Sequence, residues 1–347
     1  MKYQHMIEID GSYLEGGGQI LRTAVALSAI TKKPCRVFNI RSGRPNPGLA
    51  PQHLLGIQTL AKLSQAKLEG DELGSKEITF SPAESVNDAP KQIVVKIETA
   101  GSITLVLQTL ILPALSLSNP VKIIFEGGAT DTFFSPTIDH FRYVFLKTLE
   151  KMGARIEINV IKRGYYPEGG ARVEAVIYPA KLKTINLTER GNLQRILAIS
   201  GTSNSLKDKK VAERQLAGVR EVLGKLNLPT EEKVEYYETQ SPGSQICLIV
   251  EFENSVIGTD NLGRLGKRGE DVGKETALEL LKEQKSEACI DKHLSDQILP
   301  FLAQTQNKSQ VSISQETAHA KTNIWVIEKF LEGKFEIKEN IVTWFPL

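Results

Sequence analysis

The chain has 347 residues, 41% of them hydrophobic and 24% charged, enough to bury a large core and more than one domain usually holds. Lys and Arg number 43 against 41 Asp and Glu, a net charge of +2, which excludes a protein that coats long nucleic acid by charge but leaves a nucleic-acid end as partner. No run reaches the ~20 apolar residues of a membrane span, and Cys35, Cys247 and Cys289 lie far apart in apolar sequence with no apolar signal core upstream, so buried thiols and a cytoplasmic address are expected.

Apolar alternation and helical spacing predict a strand at 6–10, a helix at 18–30, a strand at 35–41, a helix at 52–64 and strands at 66–70 and 77–81. After a loop at 83–90 the order returns: strand 93–98, helix 102–117, strand 121–126, helix 136–152, strands 154–160 and 171–178. Two such copies give a βαβαββ unit of roughly 90 residues, a period that argues for stacked α/β units. A third copy opens with a strand at 184–187, yet its tail lies near the C-terminus: helix 293–305, strand 309–314, helix 319–331, strands 333–338 and 341–345. Between them stand strand 192–202, helix 207–225, strands 232–238 and 245–253, a basic, Gly-rich loop at 258–269 and helix 270–284. The expected architecture is α/β (α+β): three βαβαββ repeats form a large domain over 1–184 and 285–347, and a smaller α/β domain, 185–284, is inserted in the third.

Asp10-Gly-Ser-Tyr-Leu-Glu-Gly-Gly-Gly-Gln-Ile-Leu-Arg22 places three glycines at a strand-to-helix junction. Glycine admits a close approach of backbone to ligand, and the first N–H groups of a helix are unpaired and carry partial positive charge, so the junction suits an anion. Glu15 and Arg22 flank it as a metal ligand and a phosphate partner; an ordinary tight turn reads equally well. The stretch fits neither the Walker A pattern nor Gly-x-Gly-x-x-Gly, whose last glycine is Leu21 here. Arg41-Ser-Gly-Arg44 leads through Pro47-Gly-Leu into a helix start with Gln52 and His53, where two guanidinium forks can meet phosphate oxygens. Gln108 is a polar residue in an apolar helix, held by a buried network or facing a ligand. Phe133, Phe134, Ser135 and Pro136 follow Glu126-Gly-Gly-Ala-Thr-Asp131 as an aromatic wall or as packing against the insert.

Of five histidines, His319 opens an amphipathic helix, where an imidazole is biased towards its neutral, nucleophilic form. His293 precedes Asp296 and Gln297 at another helix start, a capping pattern that can also read an adenine edge or hold a ribose. No Ser-His-Asp spacing marks a hydrolase elbow, and no Cys/His pairing suggests zinc.

Together these stretches, with Ala100-Gly-Ser-Ile-Thr-Leu-Val-Leu-Gln108-Thr, Gly164-Tyr-Tyr-Pro-Glu-Gly-Gly170, Glu189-Arg-Gly191 and His319-Ala-Lys-Thr-Asn323, resemble the RNA 3′-terminal phosphate cyclase family over nearly the whole length and in family order. The resemblance implies a fold of three βαβαββ repeats with an insert in the third. It implies an ATP-dependent conversion of an RNA 3′-phosphate into a 2′,3′-cyclic phosphate through histidine-AMP and RNA-adenylate intermediates. It also implies roles: His319 as adenylated nucleophile, Glu15 as ligand to a divalent metal such as Mg or Mn, and Arg22, Arg41 and Arg44 on triphosphate or RNA phosphate. Gln52, His53, Gln108 and Pro136 would line the same site, and His293, Asp296 and Gln297 the nucleotide pocket. RNA 3′-phosphate ends and ATP are the implied partners, with self-association left open. The chain departs from the family pattern in the extra residue of Gly127-Gly-Ala-Thr-Asp131, in Ala171, and in Arg264 where a Glu is common. Rival readings are the family's non-catalytic branch, against which His319, Arg22 and Arg44 argue, an enolpyruvyl transferase, which needs six units, and a generic phosphate-binding α/β protein.

Overall fold

The protein, as a computed structural model, is described over residues 6–86, 89–224, 228 and 230–347. Strand β1 (Ile7–Asp10) passes through helix α1 (Gly18–Thr31) to a parallel neighbour, β2 (Cys35–Phe38); α2 (Pro51–Ser64) then leads to β3 (Lys67–Glu69) and β4 (Ile78–Ser81), both antiparallel to their neighbours. The sheet order is β1-β2-β4-β3. The next stretch repeats that path. Strand β5 (Gln92–Ser102), α3 (Ile103–Leu115) and β6 (Val121–Ala129) form the parallel pair, and α4 (Ile138–His140), a π-helical turn (Phe141–Phe145) and α5 (Leu146–Lys151) lead to β7 (Arg155–Lys162) and β8 (Arg172–Tyr178), in the order β5-β6-β8-β7.

After the two-residue β9 (Asn186–Leu187) the chain builds a different sheet: β10 (Leu193–Ser203), α6 (Val211–Leu223), β11 (Thr230–Tyr237), β12 (Ser244–Phe252) and β13 (Val256–Leu262), followed by α7 (Gly269–Lys285), in the order β11-β10-β12-β13. It then returns through α8 (Leu294–Gln297) and α9 (Leu299–Leu302) to β14 (Ser309–Ser312), parallel to β9, and through α10 (Ala318–Phe330) to β15 (Gly333–Lys338) and β16 (Ile341–Pro346). This sheet reads β15-β16-β14-β9, the same order as the first two viewed from the other edge.

Four expected elements differ. The predicted helix at 207–225 opens in a 3-10 turn (Asn204–Lys209), and α6 starts only after Lys210, which holds φ +49°; residue 225 lies outside the described residues. The predicted helix at 293–305 is two single turns, α8 and α9, with Pro300 in the first turn of α9, where its missing N–H interrupts no hydrogen bond. The predicted helix at 136–152 contains the π-helical turn. The predicted loop at 258–269 begins as strand: β13 pairs with β12 from Val256 to Leu262. That strand is an edge of its sheet, so its Gly-Thr-Asp-Asn run carries little of the apolar alternation that reveals an interior strand.

A continuous core runs between the three sheets of matching order and helices α1, α3 and α10, and the β11-β10-β12-β13 sheet, counted here as the fourth, shares it on one face. Alternate residues divide the burial: Leu197, Ile199, Cys247 and Ile249 join the main core, while Ile196, Ala198, Ile246, Leu248 and Val250 pack under α6 and α7. Burial on both faces is why residues 196–199 of β10 and 246–250 of β12 run apolar without a break. At this junction Arg163, 4% exposed, donates to Asp131 at 3.1 Å and to both oxygens of Asp139 at 2.6 and 2.8 Å, and lies 4.6 Å from the ring centre of Tyr237. All three cysteines are buried and free, and among the described residues no helix is long and apolar enough to cross a membrane.

Candidate active site

Helix α1 packs against α2, α3 and α10, which brings the starts of α1, α2 and α10 to one end of the core. A cavity of about 890 Å³ opens there. Its wall contains all twelve residues singled out in the sequence: Glu15 and Arg22; Arg41, Arg44, Gln52 and His53; Gln108; Pro136; His293, Asp296 and Gln297; and His319. Its volume is that of a small-molecule site.

The backbone prepares this space for an anion. Gly16 turns the chain at φ +58° and Gly17 caps α1 in extended conformation, with no side chain accepting from the helix. Helix α2 likewise starts without a side-chain cap, behind Ala50 and Pro51. Neither first turn carries an acid. Gly17 and Gly18 of one start, and Gln52 and His53 of the other, line the cavity, so two helix N-termini direct partial positive charge into it. Gly18 is required for a local reason: a Cβ there would lie 2.0 Å from His53 Nε2.

Three arginines add full charge. Burial lowers the Arg22 guanidinium to about 10, still cationic at neutral pH, and among the described residues it makes no hydrogen bond or ion pair. Arg41 donates to the Gly48 carbonyl at 2.9 Å, and Arg44 lies 3.6 Å from Glu15 Oε1. Burial first, then Arg22 and Arg41, push His53 down to about 3, so this imidazole is neutral.

His319 sits among these groups. Thr317 caps its helix by accepting from the Ala320 N–H at 3.0 Å, which fixes the turn that carries the ring. Nε2 lies 3.0 Å from Glu15 Oε2 and Nδ1 lies 3.7 Å from Asp296 Oδ2. Burial lowers its pKa below the ordinary imidazole value; Glu15 opposes this, while Arg22 and Arg44 add to it. Burial raises Asp296 to about 7 in spite of Arg22. Gln19 Nε2 donates to Asp296 Oδ2 at 2.9 Å and to the His319 carbonyl at 3.1 Å. Asn323, one turn beyond His319, donates to the Asp296 carbonyl at 2.7 Å and accepts from Thr23 at 2.8 Å. The question over Gln108 resolves both ways: it donates to Gln297 at 2.9 Å and also faces the cavity.

Sequence reasoning missed Gln19, Asn323, His140 and Asp260. Gln19 and Asn323 had a signal, each a buried amide within an amphipathic helix, Gln19 one turn before Arg22 and Asn323 one turn after His319. His140 lies at the cavity wall with its Nε2 3.5 Å from the buried carboxylate of Asp291, and its ring meets that of His293 edge to face at 6.5 Å. Asp291 also accepts from the backbone N–H groups of Gly258, His293 and Leu294, joining the fourth sheet to the α8 turn. Asp260, whose carboxylate accepts from Thr137 N at 2.6 Å, belongs to the strand read as loop.

A cavity lined by an imidazole, a carboxylate and three arginines, and entered by two open helix N-termini, is that of an α/β protein suited to an anionic ligand. The comparisons with known proteins narrow that class. Residues 13–337 match the family model described as RNA 3′-terminal phosphate cyclase. A Pyrococcus furiosus protein of that name is 45% identical over 97% of this chain and 96% of its own; one from Pyrococcus abyssi is 45% identical over the same shares, and one from Thermococcus kodakarensis is 44% identical over 96% and 95%. The chain belongs to the RNA 3′-terminal phosphate cyclase family.

Proposed function

We propose that this chain converts an RNA 3′-terminal phosphate to a 2′,3′-cyclic phosphodiester with ATP, through a histidine-AMP intermediate. The observation that carries the reading is the placement of His319 Nε2 beside Glu15 and within reach of Arg44, in a cavity where two uncapped helix starts meet. Attack uses the Nε2 lone pair, so Nε2 must turn from the Glu15 carboxylate, 3.0 Å away, to the nucleotide while the ring's proton sits on Nδ1, on the side of Asp296. Nε2 bonds to the α-phosphorus of ATP, the bond from that phosphorus to the bridging oxygen breaks, and pyrophosphate leaves with the electron pair. The lowered pKa of His319 keeps the ring neutral for this step. Arg22, Arg41, Arg44 and the open N–H groups of α1 and α2 meet the charge that develops on the phosphate oxygens.

AMP then passes to an oxygen of the RNA 3′-phosphate, which gains a leaving group that a phosphate monoester lacks. The neighbouring 2′-hydroxyl attacks the activated phosphorus, loses its proton and expels AMP; held beside phosphorus, it reacts intramolecularly. A DNA end has no such hydroxyl. His293, Asp296 and Gln297 are the cavity residues assigned to the adenosine, and Pro136 lines the same cavity. Glu15 fits a divalent ion of the magnesium type: it offers one half-exposed carboxylate, and among the described residues no three acidic, His or Cys side chains form a protein cage. An ion bound by one carboxylate takes its other ligands from water and phosphate oxygens, and when bound supplies charge neutralisation at the triphosphate. The buried, unpaired thiols accord with a reducing, cytoplasmic setting.

The test is transfer of label from ATP carrying radioactive α-phosphorus. Wild-type protein with a divalent metal takes up label that survives base and is lost in acid, as a phosphoramidate is; His319→Ala takes up none. Label retained by the variant would place the nucleophile elsewhere.

A further inference from the structure

The cavity wall continues outwards into a group of side chains that the adenylyl-transfer chemistry does not use. Phe134 is fully exposed, at 102% of its reference area, and holds a left-handed backbone at φ +62°, a conformation that costs an L residue roughly 1 kcal/mol or more. Beside it Phe133 meets Tyr166, itself 60% exposed, at 6.2 Å between ring centres, and the Arg264 guanidinium lies 5.3 Å from the Phe133 ring centre. Phe133, Phe134 and Arg264 all line the cavity that holds His319. Arg264 comes from the loop after β13, and among the described residues it makes no ion pair, whereas its loop neighbours do: Lys267 is paired with Glu275 and Arg268 with Glu270. Folding explains neither an aromatic ring turned wholly to water nor a cation that lies over the neighbouring ring with no acidic partner among the described residues.

We propose that Phe134, with Phe133 and Arg264 behind it, is the stacking ledge for one of the last two bases of the RNA strand, and that Arg264 meets a phosphate of that strand. The inference rests on the reading of the site given above and adds where the polymer leaves it. At about 890 Å³ the cavity encloses a mononucleotide-sized ligand but not an oligonucleotide, so a strand whose terminal phosphate reaches the centre must run out over the rim. ATP ends inside. On the reading above the adenine of ATP goes to the side of His293 and Gln297, so the base for a ring that faces bulk water comes from the strand, and base stacking on an aromatic face tolerates any sequence, as an end-processing enzyme requires.

The experiment measures binding of a fluorescent 3′-phosphorylated ribo-oligonucleotide to the full-length protein by anisotropy, without ATP. Phe134→Ala raises Kd about tenfold, the loss of one base–aromatic stack, and Phe134→Trp restores it. An abasic nucleotide at the stacked position weakens wild-type binding by a similar factor and adds little to the alanine variant. Arg264→Ala lowers the slope of log affinity against log salt by about 0.7, the share of one phosphate on a single strand. An unchanged Kd for Phe134→Ala, or full additivity of the variant with abasic substitution at both of the last two positions, overturns the proposal. Uptake of ATP label by Phe134→Ala separates the two ligands: a fall in parallel with RNA binding assigns the ring to the adenosine and overturns it too. Absence of label in wild type is the separate failure of the underlying reading, and leaves RNA binding to be judged on its own measurement.

Discussion

Gly18→Ala tests how tightly the first motif is built into the second. Gly18 has a φ outside the left-handed region, so its backbone accepts a side chain. In a helix alanine even gains about 0.5–1 kcal/mol over glycine. Against that, the new Cβ would sit 2.0 Å from Nε2, 2.6 Å from Cε1 and 2.8 Å from Cδ2 of His53. Ordinary contact begins at 3.4 Å, so the imidazole must retreat 1.4 Å. It is 6% exposed and has little room to do so. Overpacking of a close-packed site costs about 1–3 kcal/mol, which at its midpoint outweighs the helical gain and leaves a net loss of about 1 kcal/mol. Displacing His53 also moves a wall of the cavity that holds His319, and a misplacement of about 1 Å can cost a hundredfold in rate. Urea unfolding reads the first effect and ATP labelling the second. Because the collision is with one ring, Gly18→Ala loses its cost in a His53→Ala background, a coupling of at least about 1 kcal/mol. Additive losses in the double variant would refute the reasoning.

Two further outcomes follow from buried charge. Burial opposes protonation of His140, but the carboxylates of Asp291 and Asp260 outweigh it and raise the imidazole to about 9. A base whose folded pKa is raised stabilises fully below its unfolded value of 6.5, and that stability is lost as pH rises through 9; the window from 6.5 to 9 carries on the order of 3 kcal/mol. Urea unfolding across this range should show the decline in wild type and a flatter profile in the double variant His140→Phe, Asp291→Asn, which removes both charges; equal slopes sink the assignment. Arg163→Ala leaves Asp131 and Asp139 buried without their cation and is expected to cost about 3–5 kcal/mol in the same assay. A loss below about 1 kcal/mol would mean that the network does not hold the fourth sheet to the core.

Legibility in the sequence followed the range of the forces involved. Strands β5, β6, β10 and β12 and helices α1, α3 and α10 were readable because burial of one or both faces imposes apolar periodicity on neighbouring residues. Edge strand β13 was not, since pairing on one side leaves room for Gly258, Thr259, Asp260 and Asn261, and α8 and α9 were read as one helix because Leu294, Ile298, Leu299 and Leu302 keep helical spacing across the break. The candidate site residues were singled out from Gly-rich junctions, helix starts and a family resemblance, all local or linear signals. What those signals lacked was distance.

Local chemistry alone determined that Gly16 to Gly18 open a helix without a cap and that His319 begins another, because caps and turns depend on residues a few positions apart. Only the folded chain decided that the two starts share a cavity, that Nε2 of His319 meets Glu15 across 304 positions while Nδ1 meets Asp296, and that Phe134 joins the cavity's lining with its ring fully exposed. Those placements come from the packing of α1 against α10 and of one sheet against the next, and packing is a property of surfaces that no single stretch of sequence possesses.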